Sequence, residues 1–272
     1  MAKLGIIAGN RLLPVTLAKN IREKNPDLEI IVFCIKGETS NLISDYADKI
    51  YWFDMGELYA LREAIKNENL TDCIMAGQVT PAKIFRKKNW DKELSSLVES
   101  IEDLRPHTIF CRIIEYLEKT GVRFLDSTLY LKKCLADNGP MNDVAVDDNT
   151  VKDIEFGVKI ISRFADLDIG QTAVIKSKSV VALESLEGTD NTIKRGYKLA
   201  RDGCTIVKFS KTNQDLRFDV PVVGMNTLKL LKKIKAKALI LEVGKVIILE
   251  KEKFLALAKK WQIPIVGRSK MI

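Results

Sequence analysis

Charged residues gather beside two glycine-marked turns between Val180 and Gly224, in the run VVALESLEGTDNTIKRGYKLARDGCTIVKFSKTNQDLRFDVPVVG. The first turn carries Glu184, Glu187, Asp190, Lys194 and Arg195, and the second carries Lys208, Lys211, Gln214, Asp215, Arg217 and Asp219. Gly188 permits backbone angles closed to most residues, Thr189 or Asp190 suits the cap of a following helix, and Lys194 and Arg195 then lie one turn in. Such a helix start binds phosphate through its N–H groups, although an ordinary capped helix with solvated charges has the same spelling. From Asp215 the alternation predicts an extended segment, with Asp215, Arg217 and Asp219 on one side at spacings of about 6.6 Å and Leu216, Phe218 and Val220 on the other. Carboxylates in such a row suit Mg²⁺ or Mn²⁺ completed by substrate phosphate; a surface ladder of ion pairs is the competing reading.

The rest of the composition narrows the chemistry. There is one histidine, His107, so carboxylates, lysines and arginines must carry any reaction. His107 and Cys111 stand four apart on a predicted helix, but no third metal ligand is near them, and a packed helix face explains the pair. Five cysteines, odd in number and without a C-x-x-C pair, imply neither a disulfide framework nor a zinc site and fit a reducing cytoplasm. The net charge of +8 favours an anionic partner without naming it. No helix-turn-helix, zinc or aromatic RNA-binding signature supports a nucleic acid. No apolar run approaches the roughly 20 residues of a membrane-spanning helix, and the opening KLGIIAG reads as a first strand rather than a signal peptide.

The elements that must position the charged turns follow from periodicity. Apolar runs at 3–8, 29–35, 50–53, 71–76 and 122–125 alternate with helical patterns after Pro14, at 57–67 and at 108–119, which predicts a Rossmann-like parallel sheet. Two turns lie at carboxyl ends of its strands, where open α/β sheets bind ligands: Gly9-Asn10 and Gly77-Gln78. Neither spells a dinucleotide or Walker fingerprint, and a plain tight turn competes with a ligand contact at each. Residues 126–149 read as a linker or crossing loop, which predicts an N-terminal domain over 1–130 and a distinct C-terminal α/β domain over 131–272. There, Asn149-Thr150 is placed to cap a helix ending near Asp168. A hairpin is expected at 171–175 and 180–183, and a further strand at 205–209.

Two basic stretches carry apolar residues. KIFRKKNW, Lys83 to Trp90, interleaves Phe85 and Trp90 with Arg86, Lys87 and Lys88. The predicted helix 226–234 sets Lys229, Lys232 and Lys233 beside Leu228, Leu231 and Ile234. Each reads either as a solvated helix face or as a contact with an anionic membrane surface.

The segments LDIGQTAV (167–174), ESLEGTDNTIKRG (184–196), VKFSKTNQDLRFDVPVVGMNT (207–227) and LEVGKVIIL (241–249), with AGNRLLP, MAGQVTP and IPIVG elsewhere, closely resemble the UDP-2,3-diacylglucosamine pyrophosphatase family of the LpxI type. The resemblance runs the length of the chain in order; it departs at Asn10-Arg11 and Asn191-Thr192. It implies a cytoplasmic, dimeric hydrolase of lipid A biosynthesis that splits UDP-2,3-diacylglucosamine into UMP and 2,3-diacylglucosamine 1-phosphate, aided by Mg²⁺. On that footing Asp215 or Asp219 holds the metal or orients water, with Asp190 in support. Lys194, Lys208, Lys211 and Arg217 hold phosphate oxygens, and the turn Glu187-Gly188-Thr189 through Arg195 adds N–H donors. Gly9, Asn10, Gly77, Gln78, Gln171 and Gln214 complete the substrate-binding candidates. The principal rival is a non-catalytic sensor that binds a nucleotide-sugar or other polyphosphate between two domains.

Overall fold

A computed structural model describes residues 2–79, 90–103 and 105–271. The chain divides into two compact units, one of Met1–Leu131 with Leu216–Asp219 and one of Lys132–Asp215 with Val220–Ile272. Leu216–Asp219, which a linear division gives to the second domain, therefore belongs to the first unit.

The first unit is built on five parallel strands, β1 (Lys3–Ala8), β2 (Glu29–Ile35), β3 (Lys49–Phe53), β4 (Asp72–Ala76) and β5 (Arg123–Phe124), in the order β3-β2-β1-β4-β5. Its described helices are α1 (Leu13–Lys24), α2 (Leu58–Asn67), α3 (Lys92–Glu99) and α4 (Pro106–Glu118). The central runs KLGIIA and EIIVFCI are almost wholly buried, as strands covered by helices on both faces must be. Chain order reverses between β1 and β4, and Gly9-Asn10 and Gly77-Gln78 follow those two strands. At the opposite edge, Lys3, Lys49 and Tyr51 all donate to the buried Glu68 carboxylate. Lys49 foremost, then Tyr51, holds that carboxyl down to about 2, so the amino ends of β1 and β3 are tied to the chain after α2.

The second unit holds a six-stranded mixed sheet of β6 (Gly139–Pro140), β7 (Thr172–Lys176), β8 (Ser179–Leu183), β9 (Thr205–Lys208), β11 (Ala238–Glu242) and β13 (Ile265–Arg268), in the order β6-β13-β11-β9-β7-β8. β10 (Val222–Val223) and β12 (Ile247–Ile248) pair separately. β9, β11 and β13 are parallel, while β6, β7 and β8 each run antiparallel to a neighbour. One face packs Ile206, Leu239, Leu241 and Val174 beneath α6 (Thr189–Ala200), α7 (Met225–Lys233) and α8 (Lys251–Lys260). The other packs Val207, Phe209, Ile240 and Ala173 against α5 (Asp148–Phe164). Alternation along β9 thus turns Ile206 and Lys208 toward the α6 side and Val207 toward α5.

Four expectations need correction. Asp215–Asp219 is not extended: residues 216–218 form a turn. The Phe218 ring is drawn into the first unit beside Phe110, 5.6 Å between centroids, and His107, 5.5 Å. Ser127 fixes that turn by donating from its N–H to Leu216 O, with its hydroxyl between Met75 O at 2.5 Å and Arg217 O at 2.9 Å. Burial of one aromatic ring outweighs a five-residue alternation that has no partner strand. The cap of α5 is Asp147, whose side chain accepts from Thr150 N, rather than Asn149 or Thr150. The cap of α6 is Gly188 with no side-chain bond, because the Thr189 hydroxyl is engaged elsewhere. Residues 126–149 are more than a linker, since Gly139–Pro140 forms the edge strand beside β13.

Candidate active site

The strand directions of the second unit bring four polar side chains to one edge of its sheet. β9 ends at Lys208, and antiparallel β7 begins opposite it, with Thr172 in register with Lys208. β8 returns to the same edge, so Glu184 follows its last residue and donates its N–H to Thr172 O at 2.9 Å. Glycine at 170 allows that approach; a Cβ there would stand 2.1 Å from Glu184 O. After the left-handed Gly188, φ 78°, the chain enters α6 with Thr189.

These residues form one hydrogen-bonded chain. Lys208 is 3% exposed and its Nζ donates to Thr189 Oγ1 at 2.5 Å. Thr189 Oγ1 lies 3.3 and 3.4 Å from the two oxygens of Glu184, itself 5% exposed, and 3.2 Å from Thr172 Oγ1. A buried ammonium and a buried carboxylate are therefore linked through one hydroxyl at the amino end of a helix that has no side-chain cap. The ammonium and the unused N–H groups of α6 are both suited to phosphate oxygens. Next along the edge, Glu242 accepts from both Ser210 N and Ser210 Oγ at 2.6 Å, fixing the first residue after Phe209.

The remaining candidates of this unit take separate places. Lys211 Nζ pairs with Asp168 at 3.1 Å and its N–H donates to Gln214 Oε1 at 2.8 Å. Gln171 accepts from Phe209 N through its backbone oxygen. Its Oε1, like Gln214 Nε2, is buried without a partner among the described residues. Glu187 is held below the usual carboxylate range, first by Arg195, which also donates to Leu183 O. Arg195 is thus committed to its own turn, and Lys194 donates to Asn191. Asp190 accepts from Thr227 Oγ1 at 2.8 Å, joining α6 to α7.

Asp215 and Asp219 flank the 216–218 turn, Asp215 in the second unit and Asp219 in the first. Arg217, on that turn, stands 3.9 Å from Glu118. Among the described residues no three carboxylate, imidazole or thiol groups converge as metal ligands. That donor set does not make an all-protein cage. Mg²⁺ commonly needs no such cage, taking one or two carboxylates and filling its shell with water and substrate phosphate.

In the first unit, Gly9, Asn10, Gly77 and Gln78 do come together at the point where strand order reverses. Gly9 N donates to Ala76 O, Asn10 N donates to Gln78 O at 2.7 Å, and a Cβ on Gly9 would lie 2.7 Å from Gln78 O. Gly77 has φ 91°, a conformation that excludes most side chains. Asn10 Nδ2 donates to Glu38 Oε2 at 2.6 Å. Glu38 follows β2, the place from which an acidic group reaches a ribose hydroxyl in dinucleotide-binding sheets. Thr172, Glu38 and Glu242 were missed as candidates because their neighbours are fixed by strand register, not by spacing. In KIFRKKNW, residues 83–89 lie outside the described residues; Trp90 packs half-buried on the core of the first unit. The lysine-bearing helix expected at 226–234 is α7, which buries Leu228 and Leu231 and exposes Lys229, Lys232 and Lys233; Lys232 Nζ lies 4.4 Å from the centre of the Trp261 ring.

A Rossmann-like unit and a mixed α/β unit with a buried lysine at its strand ends define a two-domain α/β protein. The family model of the LpxI N-terminal domain matches residues 3–134 and that of the LpxI C-terminal domain matches residues 137–266, so the chain belongs to the LpxI family. It is 24% identical over 279 residues to UDP-2,3-diacylglucosamine pyrophosphatase LpxI of Caulobacter vibrioides, with 98% of each chain covered. Among solved structures, E. coli heptosyltransferase WaaC with ADP aligns at 13% identity over 97% of this chain and 86% of that one. Its TM-score of 0.22 carries no argument about fold.

Proposed function

We propose that this chain hydrolyses the pyrophosphate bond of UDP-2,3-diacylglucosamine, the activity that the relative's name describes, giving UMP and 2,3-diacylglucosamine 1-phosphate in lipid A biosynthesis. The observation that carries the reading beyond family membership is Lys208. A buried ammonium fixed at a helix start offers a charge to phosphate oxygens without reorganising when negative charge builds on the leaving group. Lys194, Lys211 and Arg217 are the further cations proposed, and Gln171 and Gln214 the amide groups. Gly9, Asn10, Gly77 and Gln78 are the substrate contacts proposed for the first unit.

The reaction is proposed to use Mg²⁺, or Mn²⁺, held by Asp215 or Asp219, with Asp190 in support. When bound, such an ion neutralises phosphate charge and polarises the bridging oxygen. The test is UMP release from UDP-2,3-diacylglucosamine, its loss on chelation, and its recovery on adding Mg²⁺. Asparagine at whichever aspartate is the ligand is expected to raise the half-maximal Mg²⁺ concentration about 10- to 100-fold. Unchanged Mg²⁺ curves for both Asp215→Asn and Asp219→Asn would remove these residues from the proposal. Saturable binding of the substrate with no UMP under any metal would establish the sensor instead.

No described helix is long and apolar enough to cross a membrane, yet the substrate is a lipid. On the family resemblance, the enzyme is further proposed to work as a homodimer at the cytoplasmic face, touching anionic lipid through the exposed lysines of α7. Co-sedimentation with phosphatidylglycerol vesicles is expected at low salt and should fall as salt screens the charges. Equal pelleting with neutral vesicles would contradict this surface, and a monomer mass in solution would contradict the dimer.

A further inference from the structure

Beyond its likeness to known relatives, the second unit buries a pair of opposite charges that its packing does not require. Ile206, two residues before Lys208 and on the same face, is a plain aliphatic in the core beneath α6, as is Leu241, the register partner of Lys208 on β11. Apolar side chains thus fill this layer, and a buried ion pair is commonly no more stable than the apolar residues that would replace it. Net stability is therefore a weak reason for a lysine at 208 and a glutamate at 184.

The direction of the hydrogen bonds supplies another. An ammonium only donates and a carboxylate only accepts, so the Thr189 hydroxyl that accepts from Lys208 must send its single proton onward. Its neighbours are Glu184, at 3.3 and 3.4 Å, and the hydroxyl of Thr172, at 3.2 Å. The carboxylate is the acceptor-only partner and takes it. Glu184 is in turn seated by its backbone bond to Thr172 and by the close passage of Gly170. The order ammonium to hydroxyl to carboxylate fixes where Lys208 Nζ lies at the strand end.

We infer that Thr189 and Glu184 are positioning residues for the reaction: through the threonine hydroxyl they hold the Lys208 ammonium at the place where it meets substrate phosphate. This rests on the proposed phosphate role of Lys208. Loss of the seat leaves the charge nearby, so substrate is still attracted, but the ammonium no longer meets the oxygens that gain charge in the transition state. The deficit then falls on kcat rather than KM.

Steady-state UMP release is measured for Thr189→Val, Thr189→Ser, Glu184→Gln and Lys208→Met, with thermal melts to show that each is folded. Thr189→Val, nearly isosteric but without a hydroxyl, is expected to lower kcat about 10- to 50-fold with KM within about threefold. Thr189→Ser is expected to stay within about threefold of the parent in both. Glu184→Gln should follow the valine variant; if it does not fold, the threonine pair decides alone. A valine variant with full kcat, a serine variant as poor as valine, or a loss confined to KM would overturn the inference. If Lys208→Met retains full turnover, the phosphate role of Lys208 fails and the positioning role goes with it. If Lys208→Met is inactive while Thr189→Val is normal, only the positioning role fails.

Discussion

Replacing Lys208 by methionine is expected to lower kcat/KM about 1,000-fold, equivalent to about 4 kcal/mol of transition-state stabilisation, while the protein stays folded. Methionine matches the length of the lysine stem and suits the surroundings of a side chain that is 3% exposed. What it cannot provide is the charge. Removing a preorganised donor aimed at developing negative charge costs far more than removing a solvated one, because water does not replace it in a buried place. The variant also leaves the buried Glu184 carboxylate with the Thr189 hydroxyl but without the ammonium behind it, at a cost of about 3–5 kcal/mol in stability. Adding Glu184→Gln should recover much of the lost melting temperature and none of the lost activity. That separation between stability and turnover distinguishes a functional lysine from a structural ion pair. Full activity in Lys208→Met, measured at saturating Mg²⁺, would end the assignment.

Sequence legibility tracked how local each cause was. The parallel strands of the first unit were readable because burial on both faces demands unbroken apolar runs such as Glu29–Ile35, and the carboxyl-end turns at Gly9 and Gly77 followed from them. The helix start at Thr189 was equally visible, its glycine standing where a positive φ was needed. The Asp215–Asp219 segment was misread because its alternation is local whereas its conformation is decided by Phe218 and Ser127, whose partners lie far off in the chain. Gly139–Pro140 was lost for the opposite reason, being too short to show any period.

The candidate site divides in the same way. Residue types at 184–195 and 208–219 suit phosphate chemistry and solvated charge alike, and the joining of Lys208 to Thr189 and Glu184 depends on Thr172 facing Lys208 across two antiparallel strands. No spacing rule contains that register. Arg195 shows the converse. It reads as a phosphate ligand one turn into a helix, yet its guanidinium is spent on Glu187 and Leu183 O. A cation's position in a motif therefore says less about its role than the partner that already holds it.

Gly170→Ala is expected to be the most damaging single methyl at this site, destabilising by about 3 kcal/mol and lowering the melting temperature by roughly 5–12 °C. Left-handed strain is not the cause. An added Cβ would stand 2.1 Å from Glu184 O and 2.7 Å from its carbonyl carbon, and neither is the loose end of a side chain. Glu184 cannot retreat freely, because its N–H is bonded to Thr172 at the end of the β7–β8 ladder. Gly188→Ala is the control: a Cβ there meets nothing within 4 Å but sits at φ 78°, ψ 163°, so it should cost about 1–3 kcal/mol through backbone conformation alone. A melting temperature for Gly170→Ala equal to or above that of Gly188→Ala would show that the Gly170 loop yields without cost. Because the displaced backbone belongs to Glu184, Gly170→Ala should also lower kcat at temperatures where it remains folded. If the loss passes through Thr189, combining Gly170→Ala with Thr189→Val should give less than the product of their separate kcat losses, since a seat already broken cannot be broken again.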